Sequence, residues 1–99
     1  MSKGVVKTLR GVRFEWDEAK AAANPLKHSV TFDEAMEVFF DVGARWVDAS
    51  RNFEHRLAVI GYGATERLLF VVHVEIADAG FRIISARKAT TTERRIYEK

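Results

Sequence analysis

Three short stretches hold the residues of this chain that could do chemistry. Glu54-x-Arg56 sets a carboxylate and a guanidinium two positions apart. The end of the chain carries Arg82, Ser85, Arg87 and Lys88, then Glu93, Arg94 and Tyr97. Lys20, Asn24, Lys27 and His28 recur at a spacing that shares one side of a helix. Arginine forks meet phosphate oxygens in pairs, and carboxylates and imidazoles can move protons near neutral pH. This set fits RNA cleavage without a metal: the ribose 2′-hydroxyl is the nucleophile, and the protein supplies cations for the phosphate and proton carriers for the two oxygens.

Each stretch also has a plainer reading. Arg82 and Arg87 can be sheet residues whose stems snorkel and whose heads pair with carboxylates. Glu54 and Arg56 can form an ordinary salt bridge, and the lysine row a solvated helix face. Arg94, Arg95 and Tyr97 suit the surface of a last helix. His73, inside an apolar strand, reads as a satisfied core histidine, and the tryptophans and phenylalanines read as core.

Other chemistries lack their residues. The sequence has no Gly-rich phosphate loop, no HExxH and no Gly-x-Ser-x-Gly. With no cysteine there are no disulfides, thiolate metal sites or cysteine nucleophiles. Histidines 28, 55 and 73 lack ligand spacing, so neither metal nor cofactor is expected.

At 99 residues, 47% hydrophobic and 30% charged, the chain suits one domain over residues 1–99 with one core. The first residues lack the continuous apolar core of a signal peptide, and no run is long enough to span a bilayer, so a cytoplasmic protein without membrane contact is expected. Net charge is only +2 despite a pI near 9.2, so the distribution of charge matters more than its sum.

The elements that must position these residues follow from periodicity. Residues 1–12 read as a loose arm or edge strand, and Val12 to Trp16 can pair at a sheet edge. Asp17 caps a first helix that Pro25 should kink or stop near Asn24. Thr31-Phe-Asp-Glu34 reads as a capping box opening a second helix, with Phe32, Ala35, Met36, Phe39 and Phe40 inward and Asp33, Glu34 and Glu37 outward. Ala44–Ala49, His55–Tyr62, Arg67–Glu75 and Gly80–Lys88 read as four antiparallel strands, the third central and covered on both faces. In the last strand, simple alternation puts Arg82, Ile84, Ala86 and Lys88 on one face and Phe81, Ile83, Ser85 and Arg87 on the other. Thr90 to Glu93 offers a second capping box and a short final helix. The fold class is α+β: a mainly antiparallel sheet with two N-terminal helices packed on it and a short C-terminal helix.

End to end, the sequence resembles the BrnT family of bacterial toxins. The pieces that carry the resemblance are FEWDEAKAAANPLKHSVTFDEA (14–35), Glu54-x-Arg56 leading to Ile60-Gly61, RLLFVVHVE (67–75) and RIISARKATTTERRIYEK (82–99). The resemblance implies a RelE-like fold and a metal-independent endoribonuclease that arrests translation. It also implies a BrnA-type antitoxin partner that neutralises the toxin and carries the part binding operator DNA. Carried onto this sequence, the family pattern puts polar positions at Lys20, Asn24, Lys27 and His28, at Glu54 and Arg56, and at Arg82, Ser85, Arg87, Glu93, Arg94 and Tyr97. The roles are our own expectation beyond that match: Glu54, Arg56, Arg87 and His28 catalytic, and Lys20, Lys27, Arg82, Lys88, Arg94 and Tyr97 RNA-binding. Two positions depart from the family pattern: Pro25 replaces an ordinary helix former, and Ser29 stands where glycine would permit a left-handed turn. A different class of function uses the same residues: a non-catalytic module whose basic groove holds RNA or docks an acidic protein partner.

Overall fold

The computed structural model describes residues 3–52 and 54–99. The elements run β1 (Gly4–Leu9), β2 (Val12–Asp17), α1 (Glu18–His28), α2 (Phe32–Val38), β3 (Arg45–Asp48), β4 (Leu57–Tyr62), β5 (Leu68–Ile76), β6 (Gly80–Lys88) and α3 (Thr91–Glu98). Six strands form one sheet in the order β1-β2-β6-β5-β4-β3. The α+β class holds, with one correction: the sheet is mixed. β2 lies parallel to β6, and every other neighbouring pair is antiparallel.

The N-terminal stretch is an edge strand. β1 pairs along its whole length with β2 through a two-residue turn, Arg10-Gly11, in which both residues have positive φ (50° and 81°). That is the geometry whose twist suits a tight hairpin. Near the same turn Gly80 (φ 106°) lets β6 lie beside β2, because a Cβ there would stand 2.0 Å from the Arg13 carbonyl oxygen.

Asp17 caps α1 by accepting from the Lys20 amide at 3.0 Å. The helix runs through Pro25 to His28 instead of stopping near Asn24. The reason lies in Asn24 itself, which is buried and held on three bonds. Its Nδ2 donates to the Val30 and Ala86 carbonyls at 2.8 Å each, and its Oδ1 accepts from the Ala86 amide at 3.3 Å. β2 pairs with β6 only at Phe81 and Arg82, so the Asn24 amide takes the place of a strand at Ala86. These anchors offset the penalty of a helical residue before proline. Ser29 then closes the helix in the left-handed region (φ 60°, ψ 27°), its amide returning to the Pro25 carbonyl at 2.9 Å.

Thr31 caps α2 by accepting from the Glu34 amide, but Glu34 does not complete the box or face away. Its carboxylate takes the Arg67 guanidinium at 2.6 and 3.1 Å and the Thr65 hydroxyl. Arg67 also donates to the Ser29 carbonyl at 2.9 Å, fastening both helices to the β4–β5 turn. The Thr90–Glu93 box at the start of α3 is complete.

α1 and α2 bury one face of the sheet. Phe14, Trp16, Val30, Phe32, Ala35, Met36, Val38, Val59, Leu69, Val71, Ile83 and Ala86 form the core. Rings of Phe39, Phe40 and Phe81 surround Phe14 with centroids 5.0, 6.2 and 5.8 Å away. His73 is fully buried beside Phe39, Trp46 and Phe81, and burial lowers its pKa against the opposing pull of the Val71 carbonyl and Glu75. β5 is central, but only its helix-facing side is fully covered, with Phe70 and Val72 half-buried on the other.

Simple alternation fails in β6. Val72 pairs with Ser85 and His73 with Ile83, leaving Ile84 as an extra residue. A bulge of this kind re-aims the side chains beyond it. Ile83 and Ala86 therefore both join the core, and Ser85 and Arg87 turn to the open face.

Candidate functional site

The open face carries a groove of about 360 Å³. Phe70 and Val72 of β5 form its floor, Ser85 and Arg87 of β6 one side, and Ser50, Arg51 and Arg56 the other. The last three belong to the loop joining β3 to β4, so Glu54 and Arg56 precede β4 rather than lying in it. The loop is held by its own backbone. The Ala49 amide donates to the Arg56 carbonyl at 2.9 Å, Arg51 and Glu54 exchange bonds at 3.2 and 2.9 Å, and Asn52 takes positive φ (54°) at the turn. Ser50 Oγ accepts from the Arg56 amide at 3.1 Å and lies 3.4 Å from His55 Nδ1.

Arg87 is fixed from several sides. Nη1 and Nη2 donate to the two Glu93 carboxylate oxygens at 2.8 Å each, and Nη1 also donates to the Lys88 carbonyl at 3.2 Å. Its guanidinium carbon stands 4.3 Å from the centroid of Phe70. The Glu93 bonds push the Arg87 pKa up against the effect of burial. Burial alone would raise the Glu93 carboxyl, yet Arg87 and the Thr90 amide and hydroxyl hold it below its usual range.

Across the groove, Arg56 Nη2 donates to Glu54 at 2.8 Å, whereas its buried Nε has no partner among the described residues. Glu54 is lowered first by the hydrogen bond from Arg56, which outweighs desolvation, and further by the charges of Arg56 and Lys20. Lys20 of α1 thus acts on this rim. Arg51 has no carboxylate partner among the described residues.

The remaining sequence candidates disperse. Lys88 and Arg94 line a second hollow of about 480 Å³ with Tyr62, whose hydroxyl accepts from Arg94 Nη1 at 3.2 Å. The Tyr97 hydroxyl donates to Asp41 Oδ2 at 2.7 Å, and that bond is the main cause pushing its pKa up to about 12. Arg82 pairs with Glu15 of β2 at 2.6 and 3.0 Å. Lys27 and His28 occupy the last turn of α1 and line neither hollow. Asn24, on the same helix side, is a structural anchor.

Sequence reasoning missed Ser50, Arg51 and Phe70. The first two looked like turn residues, and Phe70 like core. Among the described residues, no group of three or more His, Cys, Asp or Glu side chains could hold a metal ion, and no helix is long and apolar enough to cross a membrane.

An α+β domain whose open sheet face gathers three arginines around a hollow carries the kind of donors that a phosphodiester would meet. The family is more specific. The family model for BrnT, the ribonuclease toxin of type II toxin-antitoxin systems, matches residues 16–93, and the chain belongs to that family. The match takes in every residue lining the groove and stops before Arg94 and Tyr97. No curated protein sequence matches the chain. A toxin of this type has an antitoxin partner.

Proposed function

We propose that the groove between Arg56 and Arg87 is the RNA-cleaving site of a metal-independent endoribonuclease that stops translation. The observation that carries this reading is the convergence on one hollow of two arginines from separate elements, with a carboxylate bonded to one of them. Arg87 and Arg56 bind the scissile phosphate and neutralise the charge that grows on it. Glu54, held anionic by Arg56 and Lys20, takes the proton of the ribose 2′-hydroxyl. The 2′-oxygen bonds to phosphorus and the bond to the 5′-oxygen breaks. The products are a 2′,3′-cyclic phosphate and, once a proton reaches the leaving oxygen, a free 5′-hydroxyl. Lys20 extends the cationic rim, and Lys88 and Arg94 hold RNA backbone beyond it. Arg82, Lys27 and Tyr97 lie outside the groove, and His28 has no placement there from which to move a proton.

A BrnA-type antitoxin would neutralise the toxin and bring the pair to operator DNA in the cytoplasm. The fold reading that goes with this function is RelE-like. The decisive assay incubates purified protein with RNA in excess EDTA, beside Arg87→Ala. Cleavage by the wild type alone, leaving cyclic phosphate ends, is the expected result. RNA bound with salt-dependent affinity yet left whole would move the assignment to the non-catalytic binding module, which the carboxylate partners of both groove arginines also suit.

A further inference from the structure

We infer that Glu93 is a positioning residue for RNA cleavage, acting through Arg87 by holding its guanidinium so that one whole edge stays open for a phosphate. The inference rests on the proposed ribonuclease site and concerns how that site is built.

The argument is a count of donors. A guanidinium offers five N–H groups in a fixed plane. Glu93 takes one from Nη1 and one from Nη2, and the Lys88 carbonyl takes the second from Nη1. Nε and the second Nη2 hydrogen remain, and no acceptor among the described residues meets them. On a planar guanidinium these two point the same way and form a complete fork. It is the fork that Arg82 gives to Glu15 and Arg67 to Glu34 in this same molecule. Arg87 therefore has one fork closed by Glu93 and one unused, with Phe70 beneath the plane to fix its tilt.

Glu93 is itself fixed. Its Oε1 accepts from the Thr90 amide at 2.9 Å, so the carboxylate that aims Arg87 is tied to the start of α3. This gives the capping box a second use: the residue that opens the helix also orients the arginine at the end of the preceding strand. A guanidinium set before substrate arrives needs less ordering in the transition state.

The opposite role is the alternative. If Glu93 instead blocks the phosphate site as an internal anion, removing its charge frees Arg87 and speeds cleavage. Glu93→Gln separates the two, because its amide oxygen can still accept from Thr90 while the nitrogen no longer accepts from Arg87. Thr90→Ala weakens the same helix start without touching Arg87.

The measurement is single-turnover and steady-state cleavage of a fluorophore-labelled single-stranded RNA by wild type, Glu93→Gln, Thr90→Ala, Arg87→Ala and the double variant Arg87→Ala with Glu93→Gln, each checked for folding by circular dichroism. Positioning predicts that Glu93→Gln lowers kcat by roughly tenfold to a hundredfold, with KM unchanged or lower because a negative charge has left an anion site. Thr90→Ala keeps kcat within about threefold of wild type, and in the Arg87→Ala background the Glu93 change has no further effect. Faster cleavage by Glu93→Gln, an unchanged kcat, or an equal loss in Thr90→Ala overturns the inference. A wild type that binds but never cuts this RNA or total cellular RNA refutes the ribonuclease reading beneath it, which is a different failure.

Discussion

β5 and β6 present two faces built from the same eighteen residues, and the faces are opposites. On the helix side Leu69, Val71, Ile83 and Ala86 are at most 1% exposed. On the other side Phe70, Val72, Ser85 and Arg87 stay half-buried around a hollow. Polar groups divide less cleanly, because His73 on the covered side also keeps a buried Nε2 without a partner among the described residues. Asn24, on the covered side, has its amide nitrogen and oxygen both engaged. Among the described residues, Arg56, on the open side, keeps a buried Nε with no partner, and Arg87 keeps an unused fork. Satisfied polar atoms rigidify a core and unsatisfied ones cost stability, and of the unpaired donors only those of the two arginines face the groove, where a ligand can reach them. The bulge at Ile84 makes the division possible, because without it Arg87 would point with Ile83 into the core.

The sharpest way to break this comparison is to cut a large side chain from each face. Phe14→Ala removes a fully buried ring from the aromatic cluster and should cost about 3–5 kcal/mol in urea unfolding, a large part of a small domain's stability. Arg87→Ala removes an ion pair and a ring contact at a side chain 36% exposed, and should cost only about 1–2 kcal/mol while abolishing RNA cleavage. Equal losses of stability from the two would erase the distinction between the faces.

Asn24→Ala comes next. It leaves the Ala86 amide and two carbonyls without their partner in a buried place and restores the ordinary cost of a helical residue before Pro25. A loss of about 2–3 kcal/mol is expected. Hydrogen exchange should show the Ala86 amide and the last turn of α1 opening together, whereas opening confined to the helix would deny the link to β6.

His73 adds a pH dependence to the covered face alone. Burial lowers its pKa in the folded protein below the ordinary 6.5, so the unfolded chain binds a proton first as pH falls. Stability is therefore full above 6.5 and declines below it, until the folded pKa is reached. His73→Phe should flatten that part of the acid limb in urea midpoints taken from pH 7 downward. An unchanged slope would assign the acid loss to carboxylates such as Glu93, which lose their stabilising charge at lower pH.

Much of the covered face was legible in the sequence, because it follows from periodicity. The stripe of α2 and the four C-terminal strands appear within two residues of where spacing puts them, and β6 keeps its bounds of Gly80 to Lys88. The open face was less legible, because it depends on pairings between distant residues. A one-residue bulge cannot be seen in RIISARK, and it decides where Arg87 points. Arg51 and Ser50 read as turn residues, since only the fold brings their loop over Phe70. Lys27 and His28 share a helix side with Lys20, yet neither lines the groove. The parallel β2–β6 contact joins strands separated by most of the chain, which local patterning does not encode.

Ser29 carries the smallest effect and sharpens the comparison at its edge. It holds a left-handed conformation at the end of α1, which costs a residue with a Cβ and costs glycine nothing. Its structural bonds come from the backbone: the amide donates to Pro25, and the carbonyl accepts from Arg67. Ser29→Gly keeps both and removes the strain. Glycine also gives the unfolded chain more freedom, which offsets part of the gain, so a net stabilisation of about 0.5 kcal/mol is expected. Because the turn belongs to the covered side, cleavage should not change. A destabilised Ser29→Gly would show that the hydroxyl contributes at this turn, and a change in cleavage at constant stability would connect the end of α1 to the groove.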